Sequence, residues 1–504
     1  MRQRVTDIIS MEEIAKWTPD RPVIIEAGTD TGKSYFIKNV LYQYARDRDQ
    51  KILMLIHRRD CVNQFQMEIE AARKTDVITI MTYQKIEAHR GCLDLSKYSY
   101  IVSDEFHYFI ADAKFNVHTD ISFNVVMNCH SAIRIFMSAT GADVEQYIRR
   151  VRAIEPVKYS IPEDYSFIAT LTFFYNAETL KKIADEVIAK GEKAIFFIEN
   201  VYLAYDLYKE YEDRAIFNCS ESNKKGHYRY VNEEKINQIL KNERFEENLL
   251  ITTTCMDAGV NIVDEAVKTI VVAGVSDIGS LIQCIGRKRR QNENDKIFLF
   301  IKAFNNKQIG GAISRSKKEL IMAEYLRANG PEMYLQKYDR ELDVTRIVYD
   351  APIGDGSGAS IKKVNEMMYY KKRCDIATYQ QMIGLGKYGY CRYLAQKFGF
   401  YNAYTMEYSY AVRNENYELI SYLESSVGKQ MLQKKDRKEL IEKMDVHSNG
   451  KILKSRGTLN NVLREKNLPF CIEQYSEDKT VNGRRKRYSA IWEVRLHVWN
   501  DDVA

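Results

Sequence analysis

Between Pro22 and about Ile301, short apolar runs that read as strands alternate with helix-patterned stretches. VIIEAG (23–28), KILMLIH (51–57), DVITIMT (76–82), YSYIVSDE (98–105) and IRIFMSAT (133–140) form a first series. KAIFFIEN (193–200), NLLITTT (248–254), VKTIVVAG (267–274) and KIFLFIK (296–302) form a second. Helical segments such as YFIKNVLYQYARD and AETLKKIADEVIAK lie between several of them. This alternation requires an α/β fold with parallel sheets covered on both faces. The series is too long for one such sheet. KYSIPEDYS, near residues 156–166, carries a proline among polar residues and reads as a hinge between two domains.

After about residue 305, strand runs thin out and helical patterns dominate. The glycine-rich APIGDGSGAS (351–360) lacks a GK[ST] ending and reads as a connector. In NEMMYYKKRCDIATYQQ (365–381) and GKYGYCRYLAQKFGFYN (386–402), basic residues interleave with tyrosines. They suit either bases and phosphates or a helical packing face with solvated lysines. KDRKELIEKM and RGTLNNVLREKN read as helices, and PFCIEQYSE and RYSAIWEVRL as strands joined by the basic turn DKTVNGRRKR. That order resembles a winged-helix module; a hairpin that merely caps the helices remains the alternative. The expected divisions are 1–158, 159–305, a helical accessory region 306–430, and a winged-helix-like module 431–504.

Composition narrows the classes. The 504 residues carry 75 basic and 69 acidic side chains, a net charge of +6, so any nucleic-acid surface must come from local patches. Nine cysteines are scattered without a CxxC pair, which argues against a disulfide framework and a zinc site. No apolar run approaches the ~18 residues of a membrane span, and no secretory leader is evident. A cytoplasmic location is expected.

The first strand runs directly into AGTDTGKS and then a helical stretch, the setting a phosphate-binding loop requires. Backbone amides of Ala27, Gly28, Thr29, Asp30, Thr31 and Gly32 would face a triphosphate. Lys33 would neutralise its β and γ groups, and Ser34 would ligate Mg²⁺. Ala27 and Asp30 stand where glycines are common. At the end of another strand, Asp104 and Glu105 sit side by side, an arrangement that usually needs a cation. Asp104 would hold the ion through a water; Glu105 would orient and deprotonate the attacking water. His107 either couples this site to a neighbouring domain or is a surface imidazole. Ser138 and Thr140, in MSAT, end a further strand and can bond His107 or the acids. SLIQCIGRKRRQ (280–291) supplies Gln283, Arg287 and Arg290; on a helix the two arginines would share a face and point across a cleft at one phosphate.

Together AGTDTGKS, DEFH, SAT and QCIGRKRR resemble, in order, the helicase core of superfamily 2, in its DExH branch; the likeness spans about residues 20–305. It implies two tandem RecA-like domains that sandwich ATP and Mg²⁺ and bind one nucleic-acid strand across their top. Weaker segments agree. LIHRRDCVNQ places Arg58 or Arg59 on the strand backbone, and TYQ offers Thr82. TTTCMDAGVNI puts Thr253 on the strand, with Gly259 and Asn261 near the nucleotide. Phe106 replaces a small residue and Cys284 an arginine. The implied activity is that of an ATP-dependent helicase or translocase, with DNA favoured over RNA. The alternatives are an RNA helicase, a duplex translocase that does not unwind, and an ATP-gated clamp with little turnover.

Overall fold

The computed structural model describes residues 3–497 apart from 29–30, 58, 90–92, 222–225, 257–259, 339–345, 354–358, 401–418, 421, 449–450, 466–467 and 482–483. Two compact units result, Met1–Thr405 and Met406–Ala504.

The first unit holds two six-stranded sheets. One contains β1 (Val23–Ala27), β2 (Ile52–Ile56), β3 (Ile78–Thr82), β4 (Tyr100–Asp104), β5 (Ile133–Ser138) and β6 (Val157–Ile161). Its order is β3-β2-β4-β5-β1-β6, with every pairing parallel. The other contains β7 (Ile168–Phe174), β8 (Lys193–Ile198), β9 (Ala215–Asn218), β10 (Leu249–Thr252), β11 (Val267–Ala273) and β12 (Ile297–Lys302). It too is parallel throughout, in the order β7-β12-β11-β8-β10-β9. The alternating runs called for parallel sheets, and these are two RecA-like sheets in tandem, as the resemblance implied.

Strand periodicity of two explains why the runs are apolar throughout. Val23, Ile25, Ile52, Met54, Val102 and Ile135 enter the core on one face of the first sheet. Ile24, Leu53, Leu55, Ile101 and Phe136 enter the core on the other. Each such side chain, fully buried, contributes about 1.5–3 kcal/mol.

Three strands of these two sheets were not legible in the sequence: β6, β7 and β9. All three lie at sheet edges. An edge strand keeps one flank open and can carry polar residues, so its pattern is weak. β6, VKYSI, alternates in exposure, and β9 is four residues long. This corrects the hinge reading. The first part of KYSIPEDYS pairs with β1, up to Ala27↔Ile161, so the connector shrinks to residues 162–167.

β5 lies between β1 and β4, with Glu26 level with Ser138 and Asp104 level with Met137. The ends of three adjacent strands therefore present the phosphate loop, the acid pair and the SAT segment along one edge. Carboxyl ends of parallel strands are where open α/β sheets bind ligands.

The same unit continues into the helices Asn306–Lys337, Glu366–Gly384 and Gly389–Lys397. Val348–Pro352 and Ser360–Val364, which flank the glycine-rich loop, pair antiparallel; residues 354–358 of that loop lie outside the described residues. Several tyrosines of the accessory helices are packing residues. Tyr370 meets Tyr147 edge-on at 4.9 Å, Tyr390 meets Phe304 at 5.2 Å, and Tyr369 donates to Glu324 at 2.9 Å.

The second unit contains the helices Lys438–Met444 and Arg456–Glu465 and an antiparallel hairpin of Phe470–Val481 and Arg484–Leu496. Leu440, Leu459, Leu463, Trp492 and Val494 form its core. Among the described residues, no helix is long and apolar enough to cross a membrane.

Candidate functional site

The loop after β1 is held from both sides. Val5 N donates to Thr31 O at 2.9 Å, and Thr31 Oγ1 donates to Gly28 O at 2.7 Å. Gly32 has φ 83°, in the left-handed region, which explains glycine before the lysine. Lys33 opens the following helix, and its ammonium donates to Ala27 O at 2.7 Å and Gly28 O at 3.0 Å. Thr29 and Asp30 lie outside the described residues.

Asp104 ends β4, and Tyr83 donates to its carbonyl at 2.8 Å. Glu105 follows with φ 49°, a left-handed turn that a non-glycine residue adopts only under strain of about 1–3 kcal/mol. That turn carries its carboxylate to Ser138, whose Oγ donates to Glu105 Oε2 at 3.1 Å. His107 Nδ1 lies 2.9 Å from Ser138 Oγ and 3.3 Å from Glu105 Oε2. Thr140 N donates to Ser138 Oγ at 3.1 Å.

The two acids are driven apart electrostatically. Burial, and then the neighbouring Glu105, push Asp104 well above the usual carboxylate range. For Glu105, burial pushes upward but is outweighed by the hydrogen bond with His107 and the charges of Lys33, His107 and Arg287. Glu105 is thus held low and Asp104 high.

The second sheet reaches this cluster through the helix Ile278–Ile285. Gln283 Nε2 lies 2.8 Å from His107 Nε2. His107 thus bridges the two sheets. Lys33, Ser34, Asp104, Glu105, Gln283 and Arg287 line a common cavity of about 380 Å³, joined by Thr31, Gly32, His107, Asn261 and Arg289.

One arginine is placed differently from the sequence reading. Arg290 does not line this cavity; it donates to Asp164 Oδ2 and Ser166 Oγ, each at 3.2 Å. The i, i+3 argument needed a helix through Arg290, and the helix ends at Ile285. Beyond it the chain turns at Gly286 and Arg287, and Lys288 then bridges Ile262 as a strand would. Arg287, in the turn, and Arg289 face the cavity, while Lys288 turns inward to Asp295 and Arg290 to Asp164. Arg287 is braced by Val260 O at 3.2 Å and Gln283 O at 3.1 Å, and Arg289 Nε donates to Asn261 Oδ1 at 2.8 Å.

The other expected residues are dispersed. Thr82 Oγ1 caps the helix Tyr83–Ala88 by accepting from Lys85 N at 3.1 Å. Thr253 Oγ1 accepts from Cys255 N at 3.4 Å and, with Thr140, lines a larger cavity of about 1050 Å³. Arg58, Gly259 and the side chain of Arg59 lie outside the described residues.

Phe106, where a small residue was expected, is buried against Phe136, with ring centroids 5.7 Å apart. Gly141 makes the room for it.

Paired parallel sheets that bring a phosphate loop, an acid pair and opposing guanidinium groups to one cavity define a two-lobed P-loop core of RecA type. Residues 2–143 match the family model described as type III restriction enzyme, res subunit. That match covers under a third of the chain, and the second sheet completes the two-lobed fold. Comparison with curated proteins gave no match. Among solved structures, S. cerevisiae Dbp5 bound to RNA and ADP BeF3 is 16% identical, covering 60% of this chain and 83% of its own, with a TM-score of 0.41. The DEAD-box helicase Mss116 bound to ssRNA and UDP-BeF is 14% identical, covering 77% and 84%, with a TM-score of 0.45. Likeness at that level adds no argument.

Proposed function

We propose that the chain is an ATP-driven nucleic-acid motor, a helicase or translocase, with DNA as its favoured track. One observation carries the reading: Lys33 and Glu105 from the first sheet and Arg287 from the second line the same cavity. A nucleotide-gated clamp has no need of an ionised base beside the phosphate loop.

In the cycle, the β and γ phosphates take the place of the loop carbonyls as partners of Lys33. Glu105 accepts the proton of the attacking water. Arg287, assisted by Arg289, meets the charge that develops on the γ-phosphoryl oxygens. Ser34 and Asp104 offer hard oxygen donors on the same wall, a set that fits Mg²⁺. Bound there, the ion would offset the charge of the adjacent acids and of the phosphates. Gln283 and His107 tie closure of the second sheet to the position of Glu105, so strand affinity can alternate with nucleotide state.

Arg58, Arg59, Thr82 and Thr253 are assigned to the strand-facing set. The hairpin of the second unit is assigned to duplex phosphates: Lys479, Arg485, Lys486 and Arg487 outnumber Glu477 and Asp478 near its tip. DNA is favoured because the matching family describes a restriction-enzyme subunit.

The test is ATP turnover with single-stranded DNA, duplex DNA or RNA added separately. DNA should stimulate most, and Lys33→Ala and Glu105→Gln should abolish the stimulated rate. Ordinary turnover in purified Glu105→Gln would overturn the assignment.

A further inference from the structure

Lys371 lies in the tyrosine-rich segment 365–381, outside the phosphate loop, DEFH, SAT and QCIGRKRR, yet it joins an accessory helix to the second sheet beside the reacting groups. Its ammonium donates to Asp277 Oδ2 at 2.5 Å and to Asp375 Oδ1 at 2.6 Å, and its side chain is only 12% exposed. Asp277 is the N-cap of the helix Ile278–Ile285, with Oδ1 accepting from Ser280 N at 2.8 Å. That helix presents Gln283 to His107 and leads into Arg287. Its first turn also abuts the first sheet: a Cβ on Gly279 would lie 3.8 Å from Thr140 Cβ and 3.1 Å from Asp277 Oδ1.

The helix bearing Lys371 is rooted in the first domain. Met367 and Met368 are buried with Phe109 and Phe123, and Asn365 Nδ2 donates to Ala113 O at 3.0 Å. Asp143, in the helix Ala142–Arg150 that follows the SAT segment, also feels Lys371, Asp277 and Asp375. Three carboxylates therefore crowd one ammonium where three helices meet. Taking such charges out of water offsets much of their mutual attraction, so a pair of this kind is weak evidence of stability and a better candidate for fixing register.

We propose that Lys371 is a positioning residue for ATP hydrolysis: it pins the cap of the 278–285 helix and so aligns Gln283 with His107 and Arg287 with the cavity. Through it the accessory helices set the turnover rate of a site to which they contribute no reacting group. This rests on the ATPase reading above.

The experiment is a double-mutant cycle in the full chain with Lys371→Met, Asp277→Asn and the double variant. Asp277→Asn keeps an oxygen for the cap while removing the ion pair, and so serves where Lys371→Met folds poorly. Each protein is assayed for kcat and KM for ATP with nucleic acid present, and for nucleotide-binding stoichiometry. Each single change should lower kcat by about tenfold to a hundredfold, the range expected from small misplacement, with KM and stoichiometry near wild type. The double variant should lose no more than the worse single variant, because both break one contact. Unchanged kcat in Asp277→Asn, multiplying losses in the double, or a kcat loss matched by lost binding stoichiometry would each overturn the proposal. A wild-type chain that hydrolyses no ATP would instead defeat the ATPase reading itself.

Discussion

Replacing Gly141 by alanine probes how the bulky Phe106 fits between the two residues that matter most beside it, Glu105 and His107. A Cβ at position 141 would fall 2.0 Å from Phe106 Cζ and 2.5 and 2.7 Å from the adjoining ring carbons. Gly141 has φ −88° and ψ 4°, open to any residue, so the demand here is for space and not for backbone freedom. The ring has little room to retreat, since Phe136 lies against it and only 1% of Phe106 is exposed. Either the ring leaves its rotamer or the 105–107 turn moves, and overpacking of this kind costs about 1–3 kcal/mol. A shift of the turn by about 1 Å would slow hydrolysis by about 10²-fold, because Glu105 and His107 move with it. The assay is thermal unfolding together with ATP turnover for wild type, Gly141→Ala, Phe106→Leu and the double variant. In the Phe106→Leu background, the penalty of Gly141→Ala should shrink. A Gly141→Ala protein with unchanged melting and turnover, or a penalty undiminished in that background, refutes the steric account.

Arg287→Ala should lower kcat by roughly 10³-fold or more, about 4 kcal/mol of transition-state stabilisation. Arg290→Ala, which breaks a partly exposed pair with Asp164, should cost at most about 1 kcal/mol of stability and leave kcat near wild type; a loss as large as that of Arg287→Ala would show that Arg290 reaches the phosphate. Gln283→Ala removes the hydrogen bond to His107 and should reduce nucleic-acid-stimulated turnover more than basal turnover; equal reduction would argue against coupling. Lys486→Ala with Arg487→Ala should weaken duplex binding and flatten its salt dependence by about one unit per lost phosphate contact, measured by titration at several salt concentrations; an unchanged slope would remove the hairpin from the duplex interface.

The amino-acid sequence by itself determined the sheet architecture and the first-domain half of the site. Strands buried on both faces must be apolar throughout, and AGTDTGKS and DEFH lie at strand ends where short-range spacing fixes position. Three of the four edge strands escaped notice, because one open flank can relax that pattern, as in VKYSI. The tyrosine-rich helices left two readings open until their neighbours were known, because a tyrosine serves a base or a core equally well. Only the tertiary structure decided which arginine stands opposite Lys33. RKRR offers consecutive cations with no periodic signal, and their directions depend on where the helix stops and on Asp164 and Asp295 as waiting partners. The same holds for Lys371: its importance lies in Asp277, 94 residues away along the chain, and contacts across that distance are set by packing and not by local pattern.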